Sequence, residues 1–315
     1  VNLNDDDFGE KQFVTAGWGT KETQFHGSEG KAAAKAKPMI IGKTENDSGS
    51  ITVSWRGDGT CYAVSYLYPE KNARYFKVFS RQGTLQWTSE LTNGLEENLS
   101  WKPSGNLIAC SQRLPNKHVI ALFEKNGLKH RDFSLPFLPN EINVKKLSWS
   151  PDSDILAIWG QKFGEQKTFI QLWIENNYHW YLKQTINFQD ENPLVCFAWS
   201  TLPRSKKRLI LLTHENFVVY TFRWSIDCTR GQTDEDKSIV GVIDGDRILL
   251  TAMKMGIVPP PMSHQSLQIS RPSNECFFAP PLRNDTLNWL DSNCLFVYLA
   301  DDNNKNQLAL YTHQK

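Results

Sequence analysis

The chain has no long apolar run. The nearest, Leu209 to Phe222, is broken by His214, Glu215 and Asn216, so no segment reads as a bilayer-crossing helix. It has no excess of either charge: 35 basic and 34 acidic residues leave a net charge of +1. A near-neutral domain has no overall field drawing it to nucleic acid, although a local patch can still act. No charged–apolar–small signal peptide stands at the start. The six cysteines include no Cys-x-x-Cys pair, and Cys61, Cys110, Cys196 and Cys294 lie within apolar runs. Cysteine in such runs serves as a small buried hydrophobe, which points to reduced thiols and an intracellular protein.

Signatures of catalysis are sparse too. The seven histidines (His26, His118, His130, His179, His214, His264 and His313) lie far apart, and no pair has helical ligand spacing. Gly27 and Gly30-Lys31 hint at a phosphate loop, but that pattern needs glycine at 25 and Ser or Thr at 32. Phe25 and Ala32 stand there instead. No Gly-x-Ser-x-Gly elbow or Cys/His pairing is recognisable. The expectation is a protein that is not an enzyme, with no catalytic, metal or cofactor residues.

What the chain has in plenty is tryptophan, 11 in all, and a phrase that repeats around several of them. An aromatic residue leads into a short turn with Gly or Asp, then four or five apolar residues. It reads Trp55-Arg-Gly-Asp-Gly59 before Cys61–Val64, Trp101-Lys-Pro-Ser-Gly105 before Leu107–Cys110, and Trp149-Ser-Pro-Asp-Ser153 before Ile155–Ile158. Looser copies stand at Trp199, at Asp244-Gly-Asp246 and at Trp289 before Cys294–Val297. The tryptophans of the first four copies are 46, 48 and 50 residues apart. A period of about 40–50 residues built only of strand signals points to β-propeller blades.

Within a repeat, the apolar run reads as an inner strand buried on both faces. A second apolar strand follows, then a tight turn at Arg81-Gln-Gly83, Lys125-Asn-Gly127 or Glu175-Asn-Asn177. A more polar strand such as His179 to Phe188 is expected at the exposed outer edge. The fold class is therefore all-β, a WD40-like β-propeller with about six legible four-stranded blades.

Three stretches break the rhythm: Phe13 to Lys37, the polar Ser225 to Ser238, and Pro259-Pro-Pro261, which must be extended or turning. The chain opens without Met in mid-pattern and ends just after an apolar run, so a fragment of a longer protein is expected. Six copies are too few for a closed seven-bladed ring. The organisation expected is therefore 1–224 as later blades of one propeller, 225–237 as linker or long loop, and 238–315 as the start of a second.

Arg204-Ser-Lys-Lys-Arg208 is the best basic patch, with Lys206, Lys207 and Arg208 at its end; Lys31, Lys35 and Lys37 form a weaker one. Each is either a contact for RNA phosphates or a solvated loop. Trp18, outside the phrase, is a further candidate contact for RNA or a partner. The tryptophans of the phrase read as packing anchors between blades.

The stretch Gly17-Trp-Gly-Thr-Lys21-Glu-Thr-Gln-Phe-His-Gly-Ser-Glu-Gly-Lys31 closely resembles a segment of the largest-subunit family of the Elongator complex. The same family pattern runs through Trp55–Gly59, Trp101–Gly105, Phe123–Leu128, Asn177–Lys183 and Val258–Met262, in family order. The resemblance implies two tandem amino-terminal propellers in a scaffold subunit, with self-dimerisation through regions this chain lacks. Its partners would be a radical S-adenosylmethionine catalytic subunit and a second propeller-built subunit, acting together on the wobble uridine of transfer RNA. It implies no catalytic residue in this region and a cytoplasmic, or also nuclear, location. Direct RNA binding through Trp18, Lys21, Lys31, Arg204, Lys206, Lys207 and Arg208 stands as the alternative role. An enzyme using a propeller's central channel is a third.

Overall fold

The computed structural model describes residues 44, 47–202, 207–229, 234, 236–279, 294–299 and 307–311, and every regular element among them is a β-strand. The chain divides into two compact units between Glu141 and Ile142.

The first unit holds two antiparallel meanders. One runs β1 (Thr52–Trp55), β2 (Cys61–Tyr68), β3 (Ala73–Ser80), β4 (Leu85–Thr88). The other runs β5 (Leu95–Trp101), β6 (Leu107–Arg113), β7 (His118–Glu124), β8 (Lys129–Ser134). Ala63, Phe76 and Val78 of the first pack against Leu99, Trp101, Ile108 and Phe123 of the second. The rings of Phe76 and Phe123 meet edge to face at 5.1 Å, a geometry their quadrupoles favour.

The second unit opens with a third four-stranded meander: β9 (Ile142–Trp149), β10 (Ile155–Lys162), β11 (Thr168–Asn176), β12 (His179–Phe188). Three sheets follow. They are β13 (Leu194–Trp199), β14 (Lys207–Thr213), β15 (Phe217–Phe222); then β16 (Ile239–Asp244), β17 (Arg247–Ala252), β18 (Gln265–Gln268); then β19 (Ser273–Phe278), β20 (Leu295–Leu299), β21 (Gln307–Tyr311). Four strands were expected in each repeat, yet these three sheets have three among the described residues. After β15 the chain does not fold back. It runs on to Cys228, which makes an isolated antiparallel bridge to Val240 in β16.

The tryptophan phrase has a simple physical meaning. Trp55, Trp101, Trp149 and Trp199 are the last residues of β1, β5, β9 and β13, so each closes a strand and starts a hairpin turn. Four residues on, Gly59, Gly105 and Ser153 all have positive φ, at 68°, 86° and 71°. Glycine takes that conformation without steric cost, which explains two of the three. At Ser153 the turn is held instead by Ser150, whose Oγ donates to Asp152 Oδ1 at 2.5 Å and accepts from Ile155 N at 2.9 Å. The runs after the turn, β6 and β10, are buried on both faces as their unalternated apolar character requires. The second hairpin turns also match expectation, with φ of 87° at Gly83 and 88° at Gly127, and Asn177 in the left-handed region at 48°.

Two expectations fail locally. Trp101, Trp149 and Trp199 are buried anchors, but Trp55 is 51% exposed, and no sheet among the described residues precedes its own. Cys110 and Cys294 are buried and Cys61 is half-buried, whereas Cys196 is exposed. The pairing of β13 with β14 shifts register between Leu194 and Cys196, so Cys196 faces outward opposite exposed Leu212. All six cysteines are free thiols. Trp289 lies outside the described residues. Pro259 O accepts from Met262 N at 3.1 Å, so the triple proline forms a turn.

Candidate functional site

Strand β12 was expected at an exposed outer edge, but Trp180, Tyr181 and Leu182 in it are buried. The cover comes from β16 and β19, which pack on it. A register shift in the β11–β12 pairing falls in the same stretch. Leu172 faces Gln184 and Trp173 faces Leu182, which leaves Lys183 as the extra residue of a β-bulge. A bulge bends the strand and re-aims its side chains.

The free backbone groups of the bulge are met by the Asp244-Gly245-Asp246 turn between β16 and β17. Gly245 N donates to Leu182 O at 2.8 Å. Leu182 N donates in return to Asp244 Oδ1 at 3.2 Å. The other carboxylate oxygen of Asp244 meets His179 Nε2 at 3.0 Å and accepts from Arg247 Nη2 at 3.3 Å. Lys183 Nζ donates to Ile243 O at 2.6 Å, and Thr185 N donates to Asn274 Oδ1 at 3.3 Å. An outer edge that would otherwise template foreign strands is thereby occupied by the next part of the chain. Gly245 takes φ of 65° here, with Leu182 side-chain atoms 3.5 Å from where a Cβ would stand.

Beside this junction lies a cleft of about 380 Å³, walled by Ile155, Ile174, Phe222, Trp224, Val242 and Ile243. Lys183, Lys207, Arg223, Asp227, Glu275 and Cys276 are the ionisable residues that line it. Burial pushes the Lys183 ammonium down to about 8, against the opposing pull of Asp244 and Cys276. Its Nζ stands 4.6 Å from the Tyr181 ring centroid, a contact worth about 1 kcal/mol for a partly desolvated cation. Burial pushes the Cys276 thiol up to about 11, helped by Asp227.

One consequence is measurable. The folded chain releases the Lys183 proton near 8, whereas an unfolded lysine holds it to about 10.4. Between those values the unfolded state binds more protons, so stability rises with pH. Lys183→Met is expected to gain about 2–3 kcal/mol relative to wild type from the removed burial cost at pH 7, partly offset by the lost bond to Ile243 O. That advantage should shrink as pH rises from about 8 to 10. Urea midpoints across that range check it, and a constant difference between the proteins would refute it.

Of the residues singled out in the sequence, Trp18, Lys21, Lys31, Arg204 and Lys206 lie outside the described residues. Lys207 and Arg208 begin β14. Lys207 Nζ donates to Asp152 and, at 2.6 Å, to Asp154, both from the phrase turn of the third sheet. Burial works against its charge, but the two carboxylates outweigh this and raise its pKa. Its charge is thus balanced within the fold. Arg208 is half-buried. The junction around Lys183 and Asp244 was not foreseen. The Asp-Gly-Asp turn was legible, but its pairing with a strand about sixty residues earlier leaves no local trace. Among the described residues no three His, Cys, Asp or Glu side chains group as a metal centre, and no helix is long and apolar enough to cross a membrane.

Comparison with known proteins gives this junction its context. A family model described as the first N-terminal β-propeller of ELP1 matches residues 1–202. A second, for the N-terminal second β-propeller of ELP1, matches residues 242–313. The chain belongs to the Elongator complex protein 1 family. Its sheets are propeller blades, as the repeat implied. Elongator complex protein 1 of Oryctolagus cuniculus is 42% identical over 310 residues, 95% of this chain and 23% of that protein. The Drosophila melanogaster protein is 46% identical over 257 residues, 81% of this chain and 20% of its own length. The Saccharomyces cerevisiae protein is 32% identical over 307 residues, 85% of this chain and 22% of its own. The chain thus spans less than a quarter of these curated Elongator complex protein 1 relatives. Strand β12 falls within the first propeller match, whereas Asp244 and Asn274 fall within the second. The bonds around Leu182 therefore join segments that the family assigns to different propellers.

Proposed function

We propose that this chain is the propeller region of a non-catalytic scaffold subunit of an Elongator-type complex. In this reading 1–224 contributes later blades of a first propeller, 225–237 the connection, and 238–315 the start of a second. The single observation that carries it is the Asp244–Leu182 junction, joining segments matched to the two propellers. A scaffold must hold its partners at fixed geometry, and a hydrogen-bonded contact through an otherwise free strand edge resists hinge motion between them. The described residues of the connection support the same view. Thr229 Oγ1 donates to Asp236 Oδ1 at 2.5 Å, and Thr229 N donates to Ile239 O at 2.9 Å, so the two ends of this stretch are tied together and the first is pinned to β16.

The full-length protein then dimerises through regions beyond this chain. It positions a radical S-adenosylmethionine subunit and a second propeller subunit for wobble-uridine modification of transfer RNA, in the cytoplasm and nucleus. Affinity purification of the full-length protein from cells, followed by native mass spectrometry, tests this. A stoichiometric assembly containing an iron–sulfur enzyme is expected, and recovery as a lone monomer would overturn it. The rival role, direct RNA contact through Arg204, Lys206, Lys207 and Arg208, is tested in the same preparation. Neutralising Lys206, Lys207 and Arg208 would flatten the salt dependence of RNA binding if these residues touch phosphates. With Lys207 already balanced by Asp152 and Asp154, we expect at most a small change.

A further inference from the structure

The cleft beside the junction brings three nucleophilic side chains to one apolar space, and the surroundings of each differ. Lys207 is held as an ammonium by Asp152 and Asp154 and has no lone pair to offer. Cys276 is a protonated thiol at neutral pH, since burial and Asp227 both oppose its thiolate; the thiol is a weak nucleophile. Lys183 is placed otherwise. Its Nζ donates to Ile243 O at 2.6 Å and rests over the Tyr181 ring. The ionisable groups acting on it are Asp244 from β16, Cys276 from β19 and Tyr181 from its own strand, and Arg223, Asp227 and Glu275 line the same cleft with Lys207. Asp244 is already engaged by His179, Arg247 and Leu182 N.

We propose that Lys183 is an acylation site for short apolar acyl thioesters, with the cleft as the pocket for the acyl chain. The neutral amine attacks the thioester carbonyl carbon. A carbon–nitrogen bond forms, the carbon–sulfur bond breaks, and sulfur leaves with its electron pair as thiolate. The amine loses one proton, which the thiolate or solvent takes up, and no oxidant or reductant is needed. The product suits the site better than the ammonium it replaces. One N–H remains on Nζ to donate to Ile243 O, while the charge that burial disfavours is gone. The acyl tail gains the apolar walls of Ile155, Ile174, Phe222 and Val242. A lysine that titrates near 8 has a substantial neutral fraction at physiological pH, where an ordinary lysine has almost none.

The test treats the full chain with the hexanoyl and acetyl thioesters of N-acetylcysteamine at about pH 7.5, and reads lysine acylation by peptide mass spectrometry. The exposed Lys125 and Lys254 serve as internal references. Lys183 is expected to react on the order of tenfold faster than either. It should also prefer hexanoyl to acetyl, whereas the references should not. Its rate should level off above about pH 8 while theirs keeps climbing. Peptide mapping should place the acyl group on Lys183 and not on Cys276; an acyl group carried by Cys276 would place the nucleophile at the thiol and overturn the proposal. So would a Lys183 rate no higher than that of Lys125 and Lys254, or equal rates with the two acyl lengths.

Discussion

Asp47→Ala is expected to cost about 3–5 kcal/mol of stability in the first unit, the penalty for leaving a buried charge without its partner. Arg74 and Asp47 are both wholly buried in side chain. The guanidinium donates from Nε to Oδ2 and from Nη2 to Oδ1, each at 2.6 Å, a bidentate fork that fixes both groups. Its Nη1 donates onward to Ser50 O at 3.0 Å and Ser65 Oγ at 3.2 Å, so the pair ties the segment before β1 to β2 and β3. Without Asp47 the guanidinium keeps its charge, because arginine does not release a proton in this range. It must then draw water into the sheet or leave it. Asp47→Asn keeps the shape and removes the charge, and should lose nearly as much. Asp47→Leu with Arg74→Met removes both charges and is expected to restore most of the loss. Urea unfolding of the four proteins checks the set. An Asp47→Ala loss below about 1 kcal/mol would mean that the pair is solvated and the account wrong.

This ion pair shows where the sequence stops being legible. Asp47 and Arg74 are 27 residues apart, and nothing in the composition around either announces the other. The tryptophan phrase was readable because its causes are local. An aromatic that ends a strand, a residue with positive φ four positions on, and a run buried on both faces all fall within ten residues. The junction was opaque for the opposite reason. His179 to Phe188 has the polar, aromatic mix of an outer strand, and it is one; what covers it comes from Asp244, Asn274 and Cys276. A β-bulge at Lys183 depends on the pairing of two strands, so no single-strand pattern encodes it. Cys196 fails similarly, since a register shift with β14 decides which way it faces. Periodicity reports what each strand wants; pairing and register decide what it gets.

Asp244→Ala tests the junction most directly, with an expected loss of about 2–4 kcal/mol in the second unit. The carboxylate is nearly buried and accepts from Leu182 N, meets His179 Nε2 and binds Arg247. Alanine leaves the amide of buried Leu182 without its acceptor, a desolvation cost of about 1–3 kcal/mol by itself. The contacts with His179 and Arg247 are more exposed and add less. The reciprocal bond, Gly245 N to Leu182 O, uses only backbone and survives the substitution, so the hairpin should loosen rather than detach. Asp244→Asn retains an Oδ1 acceptor for Leu182 N and should recover the larger part of the loss. Amide hydrogen exchange separates a local effect from a global one. Leu182 should exchange faster in Asp244→Ala, while Ala121 and Leu122 in the first unit keep their protection. If Leu182 exchanged as slowly as in wild type, the carboxylate would not be what closes this edge, and the rigid joint on which the scaffold reading stands would have to be sought elsewhere.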